Sequence, residues 1–318
     1  MSSLKYQITT STALLPISMA VMVGAWLLQA PLTAMTAAGL GIALFVTLVL
    51  RWVSNAVQLI RVRSWAVSSV FALMIAATGR CHEWSPQAMG LCALYMTFAG
   101  GLLLSTWATR PQLSIFVGSM GLAGMMMMVP QTVWLLPMGV LAMMLALRVW
   151  AGRTLAALLL GLLLPLEVWA AWSYLHGTLG DFAFSQFYHF TIPQLGINGQ
   201  WSVANGQWSI VNGQWLTVIG YCLLVVVTLV SIIHFMRTSL DDKISTRMRY
   251  ITLLLQWPVL LALSLLCPDT DSLVPALALC SAPLVARWAV FSRGWMAAVT
   301  FWLMIAAMTA MIIDIFEI

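Results

Sequence analysis

Long apolar runs with almost no charge in them constrain this chain more than any motif does. They begin near Thr12 and recur to the C-terminus at 15 to 22 residues each. A bilayer core of roughly 30 Å needs about 20 apolar residues in a helix. Lipid offers no hydrogen-bond partner to a peptide group, so each crossing must satisfy its own backbone. The runs do not alternate polar and apolar, as the roughly 10-residue strands of a membrane barrel do. The expected class is an all-α, polytopic transmembrane bundle. Composition excludes the soluble alternative: 62% of residues are hydrophobic and 7% are charged, against about 25% charged in ordinary soluble domains.

Eleven apolar segments can be drawn, at about 12–29, 34–50, 64–78, 87–107, 112–128, 132–147, 154–175, 215–236, 250–266, 273–289 and 295–313. Basic residues test the count, because short cytoplasmic loops hold an excess of Lys and Arg. With the N-terminus cytoplasmic, every lysine and arginine except Arg80 falls on the cytoplasmic side. This predicts eleven spans with the C-terminus external, in a bacterial inner membrane, as one integral membrane domain over residues 1–318. The first run follows Lys5 and is read as a retained span rather than a cleaved signal. Segments five and six lie between Arg110 and Arg148 and are either two spans or a re-entrant pair broken at Pro130. The stretch from Arg51 to Arg63 is either an interfacial helix or a helix extension with arginines reaching for the interface.

The net charge of +5 follows from those orientation signals. No basic tail, nucleic-acid motif or zinc spacing accompanies it, so nucleic acid is not an expected partner; the lipid bilayer is. Protein partners and cofactors are not readable. No phosphate-binding loop, HExxH or GxSxG occurs, which removes the standard nucleotide and hydrolase motifs. Cys92, Cys222 and Cys280 fall in apolar runs and are expected to be packing residues. Cys81 and Cys267 fall in external loops, where a disulfide is chemically permitted. The run Met125 to Met128 is expected to pack rather than bind metal.

Candidate chemistry gathers on the predicted external side. Glu167 is the only acidic residue well inside an apolar run, two residues after Pro165. An ionisable residue at membrane depth is costly and is a functional candidate by default. Glu83 lies in the polar cluster Arg80-Cys81-His82-Glu83-Trp84. Glu167 and Glu83 are the candidate catalytic carboxylates. Asp269 and Asp271 could hold a divalent cation, but helix capping is the plainer account.

The 176–214 loop is the one long hydrophilic segment. It holds His176, Asp181 and His189, then three Asn-Gly-Gln-Trp units ending at Trp201, Trp208 and Trp215. Asn-Gly is a strong turn signal. His176, Asp181, His189, Trp201 and Trp208 are candidate ligand contacts, with the indoles as stacking surfaces for a sugar or lipid head group. The competing account is a short in-frame duplication in a loop that tolerates insertion.

The block from Val129 to Leu164, VPQTVWLLPMGVLAMMLALRVWAGRTLAALLLGLLL, resembles the middle of the GT-C superfamily of polyprenyl-phosphate-sugar glycosyltransferases. Asn55 to Trp65, NAVQLIRVRSW, together with that block, is similar to a family of bacterial multi-spanning inner-membrane proteins. The resemblance implies a role in envelope glycan or polyprenyl-lipid handling, with a polyprenyl-linked glycan as partner. An external carboxylate would deprotonate the acceptor hydroxyl. GT-C enzymes carry an acidic residue in the first external loop; here that loop, Gln29 to Thr33, has none. Glu83 or Glu167 would have to take its place. The alternatives are a non-enzymatic membrane subunit or assembly factor, and a small-solute transporter with Glu167 at a coupling site.

Overall fold

The computed structural model describes residues 11, 13–29, 33–60, 65–77, 86–178, 215–266 and 270–292. Among the described residues, ten α-helices follow one another: α1 (Leu14–Gln29), α2 (Ala34–Ala56), α3 (Ala66–Ala77), α4 (Pro86–Leu104), α5 (Pro111–Met128), α6 (Leu135–Leu141), α7 (Gly152–Leu175), α8 (Trp215–Thr238), α9 (Ile244–Leu266) and α10 (Thr270–Phe291). No strand occurs among the described residues. Six of the described helices are long and apolar enough to cross a membrane: α2, α4, α5, α7, α9 and α10. The chain is therefore an all-α, multi-spanning membrane protein. Shorter apolar helices occupy Leu14–Leu28, Ala66–Ala77, Pro130–Ala146 and Cys222–Thr238. Ten of the eleven apolar segments are thus helical, and the eleventh, 295–313, lies outside the described residues.

Helix ends follow from local chemistry. Pro111 opens α5 at a position where its missing N–H costs nothing. At α2, the Thr36 hydroxyl accepts from the Thr33 N–H at 2.9 Å, and the Thr33 hydroxyl accepts from the Thr36 N–H at 3.3 Å. At α7, the Thr154 hydroxyl accepts from the Ala151 N–H at 2.9 Å. The same helix ends at Gly177, whose φ of +72° suits a residue without Cβ. The Gly177 N–H donates to the Tyr174 carbonyl and the Thr178 N–H to the Ser173 carbonyl, the paired bonds of a Schellman close. Segment six is not one regular helix. A 3-10 turn at Pro130–Trp134, the short α6 and a π turn at Ala142–Ala146 succeed one another. Pro130 and Pro137 both lack the N–H that a regular helix would use there.

The described chain forms two compact units. The first comprises Met1–Gly90, Ser202–Arg247 and Leu277–Ile318. Here α3 packs against α1 and α2, with Met22, Trp26, Phe71 and Ile75 fully buried. Buried hydroxyls satisfy themselves on their own helix: Ser68 and Ser69 donate to the Trp65 carbonyl, and Thr47 to that of Ala43. Helix α2 continues through Arg51 to Ala56, and the Arg51 guanidinium lies 3.8 Å from the centre of the Trp65 ring. The stretch expected from Arg51 to Arg63 is thus a helix extension only as far as Ala56; residues 57–60 form turns, and Arg61 and Arg63 lie outside the described residues. Cys222 is exposed, unlike buried Cys92 and Cys280. It shares the outward stripe of α8 with Val226, Val230 and Ile233, so the expectation of a packing role fails there.

The second unit comprises Leu91–Trp201 and Met248–Ala276. Lipid tails are as apolar as leucine, so close backbone approach and hydrogen bonds hold membrane helices together. Glycines supply the approach. Gly118 of α5 faces Gly101 of α4, Gly121 faces Leu94 and Thr97, and Gly139 of α6 faces the Phe98 ring. On another side of α5, Phe116 and Ser119 meet Gly161 of α7. In the run expected to pack, Met125 and Met126 are buried, Met127 is half-buried and Met128 is exposed. The Tyr95 hydroxyl donates to Gln256 Oε1 at 2.7 Å, with both side chains fully buried. Tyr95→Phe leaves that oxygen without its phenolic donor. It is expected to lower stability by about 1 kcal/mol, read as the midpoint of reversible unfolding in mixed micelles.

Candidate functional site

Helix α7 carries the leading candidate, Glu167. Its packed face consists of Thr154, Leu158, Gly161, Leu162 and Ser173. These are small or mid-sized residues that allow α5 to come close. The rest of the helix is half-buried or exposed: only 17% of its apolar window is buried. Glu167 lies on the uncovered side, with exposed Leu160, Leu163, Leu164 and Val168 around it. Residues one turn away, Leu163, Leu164, Ala170 and Ala171, carry no polar side-chain atom. The helix runs unbroken through Pro165.

His176, the cap residue of α7, is exposed. Its ring lies 4.3 Å from that of Trp172, and its Nδ1 is 2.9 Å from the Trp172 carbonyl oxygen. Glu167 and His176 thus share one helix, nine residues apart in sequence. Glu83, Asp181, His189, Trp201 and Trp208 lie outside the described residues. So do Cys81, Cys267 and Asp269, whereas Asp271 falls in the first turn of α10. Among the described residues, no group of three or more His, Cys, Asp or Glu side chains could share a metal ion.

A second polar centre sits in the first unit, and the sequence reading passed over it. Arg287 of α10 is buried and pairs with Asp242, just beyond the end of α8. The same guanidinium donates to the Thr238 hydroxyl at 3.3 Å and lies 4.7 Å from the centre of the Phe235 ring. Planar guanidinium groups suit this combination of ion pair, hydrogen bond and ring stacking. The signal was present: Arg287 falls inside the apolar segment 273–289, as Glu167 falls inside 154–175. Charge counting treats it only as an orientation residue.

The second unit has a related contact. Arg249 Nε donates to the Thr106 hydroxyl at 3.0 Å, joining the start of α9 to the turn after α4. In each unit, therefore, an arginine ties together two chain segments that charge counting assigns to the same side.

No family model, no curated protein and no solved structure matches the chain. The likeness of the Val129–Leu164 block to the GT-C superfamily has no support from these comparisons.

Proposed function

We propose that the chain is a non-enzymatic helical subunit of a larger membrane assembly. In this reading it sits in a bacterial inner membrane with eleven spans and a cytoplasmic N-terminus, as its basic residues indicate. One observation carries the reading: the only described acidic residue deep in an apolar helix, Glu167, lies on an uncovered helix face. A general base needs reach to an oriented acceptor proton, in a site that collects several polar groups. Glu167 has only apolar side chains one turn away. A subunit surface awaiting a partner accounts for an exposed carboxylate at this depth more directly.

The test has two parts. Extracted in a mild detergent, the chain is expected to migrate with a larger native assembly rather than by itself. Purified and reconstituted, it is expected to release no sugar from a polyprenyl-phosphate sugar donor. Migration as the bare chain sinks the subunit reading. Turnover that Glu167→Gln abolishes replaces it with the glycosyl-transfer reading that the Val129–Leu164 block implies.

A further inference from the structure

The uncovered face of α7 carries a carboxylate, which lipid exposure alone does not require. Leu160, Leu164, Glu167, Ala171 and Tyr174 are all exposed and lie on one stripe of the helix, four and three residues apart, with the carboxylate at its middle. The depth of that carboxylate can be placed. Exposed Trp150 marks one end of α7, and exposed Trp172 and Tyr174 mark the other; such rings sit at membrane boundaries. Gly152 to Trp172 spans about 30 Å at 1.5 Å per residue, the thickness of a bilayer core. Glu167 lies five residues inside Trp172, so about 7 Å below that boundary.

Reaching back to water is unfavourable, because Cα–Cβ bonds lean toward the helix N-terminus. For Glu167 that direction leads deeper into the membrane. Leucines can face acyl chains at no cost. An ionisable group inside the apolar layer is costly unless it is paired.

We infer that this face of α7 docks a transmembrane helix of a partner protein carrying a lysine or arginine opposite Glu167. The inference rests on the subunit reading and names the chemistry of the partner. Charge complementarity selects this occupant. A second copy of the chain across a two-fold axis would set Glu167 against its own equivalent, and like charges repel. Lipid would leave the carboxylate uncompensated. A basic side chain would supply a charge-assisted hydrogen bond, and small Ala171 would let the two backbones approach.

The experiment places a photo-crosslinking residue at Leu164 or Ala171 of the full chain in native membranes, with buried Leu158 as the control position. Adducts from Leu164 and Ala171 are expected on one span of one partner, and that span is expected to contain Lys or Arg. Glu167→Gln is expected to cut adduct yield about tenfold. Glu167→Lys is expected to abolish adducts, and changing the partner's basic residue to Glu is expected to restore them. Because the site is exposed, these variants leave the packed face of α7 intact. Adducts to lipid only, to another copy of the chain, or to a span without a basic residue overturn the inference. A larger native assembly that persists alongside such adducts sinks this inference alone; migration as the bare chain sinks the subunit reading with it.

Discussion

Asp242→Ala is expected to cost about 3–5 kcal/mol of stability. Asp242 and Arg287 form their ion pair with side chains only 8% and 4% exposed. The pair joins the end of α8 to α10, 45 residues away in sequence. Net stabilisation by such a pair is small, because both groups had to leave water. Breaking it is costly, because the surviving charge stays buried.

Arg287 has nowhere to go. It sits within a stretch of α10, Leu273 to Val290, that is buried throughout. The Thr238 hydroxyl and the Phe235 ring remain after the substitution, but neither carries a formal negative charge. Asp242→Asn keeps the size and one acceptor oxygen, so about half the loss is expected. Combining Asp242→Ala with Arg287→Met removes both charges and is expected to return to within about 2 kcal/mol of the wild type. The measurement is a double-mutant cycle on unfolding midpoints in mixed micelles. A loss below about 1 kcal/mol for Asp242→Ala would mean that water reaches the pair.

The parts of this architecture that could be read from sequence are those that lipid dictates. Any long apolar run must be helical in a bilayer, so the run from Gly152 to Leu175 needed no motif to identify it. The irregular stretch Pro130–Ala146 was legible as a break but not as a 3-10, α and π succession. Prolines announce where a helix is disturbed, not which turn replaces it.

Side-chain placement was much harder to read. Helix α7 is apolar on all sides, so its amphipathic pattern does not reveal which face is covered. The covered face is set by Thr154, Gly161 and Ser173, the small residues against which another helix can close. Read that way, the sequence already hinted that Glu167, six residues after Gly161, falls on another side. The Asp242–Arg287 and Arg249–Thr106 contacts join residues 45 and 143 positions apart. Charge counting sorts such residues by side and says nothing of their pairing.

Gly101→Ala is expected to lower stability by about 3 kcal/mol, the upper end for one extra methyl in a packed core. The reason is what the methyl would meet. A Cβ at Gly101 would lie 2.5 Å from the Ser114 carbonyl oxygen, 2.7 Å from Gly118 Cα and 2.9 Å from Gly118 N. All three are backbone atoms of α5, so no side chain can turn aside and the helices must part. The reverse change is milder. A Cβ at Gly118 would lie 3.2 Å from the Phe98 carbonyl oxygen and 3.3 Å from Gly101 Cα. A shift of a few tenths of an ångström admits it, and a loss of about 1 kcal/mol is expected.

Gly90 lies earlier on α4, and its added Cβ would meet nothing within 4 Å. Gly90→Ala is therefore expected to gain about 0.5–1 kcal/mol from helix propensity. The three substitutions make the same chemical change, and two of them fall on the same helix. Their order separates close packing from propensity, read as unfolding midpoints in mixed micelles. Equal effects at Gly90 and Gly101 would show that α4 and α5 are not in backbone contact. Separation of α4 from α5 would also disturb α7, because Phe116 and Ser119 of α5 hold Gly161. Cysteine accessibility at Leu158 is therefore expected to rise in Gly101→Ala and to stay unchanged in Gly90→Ala.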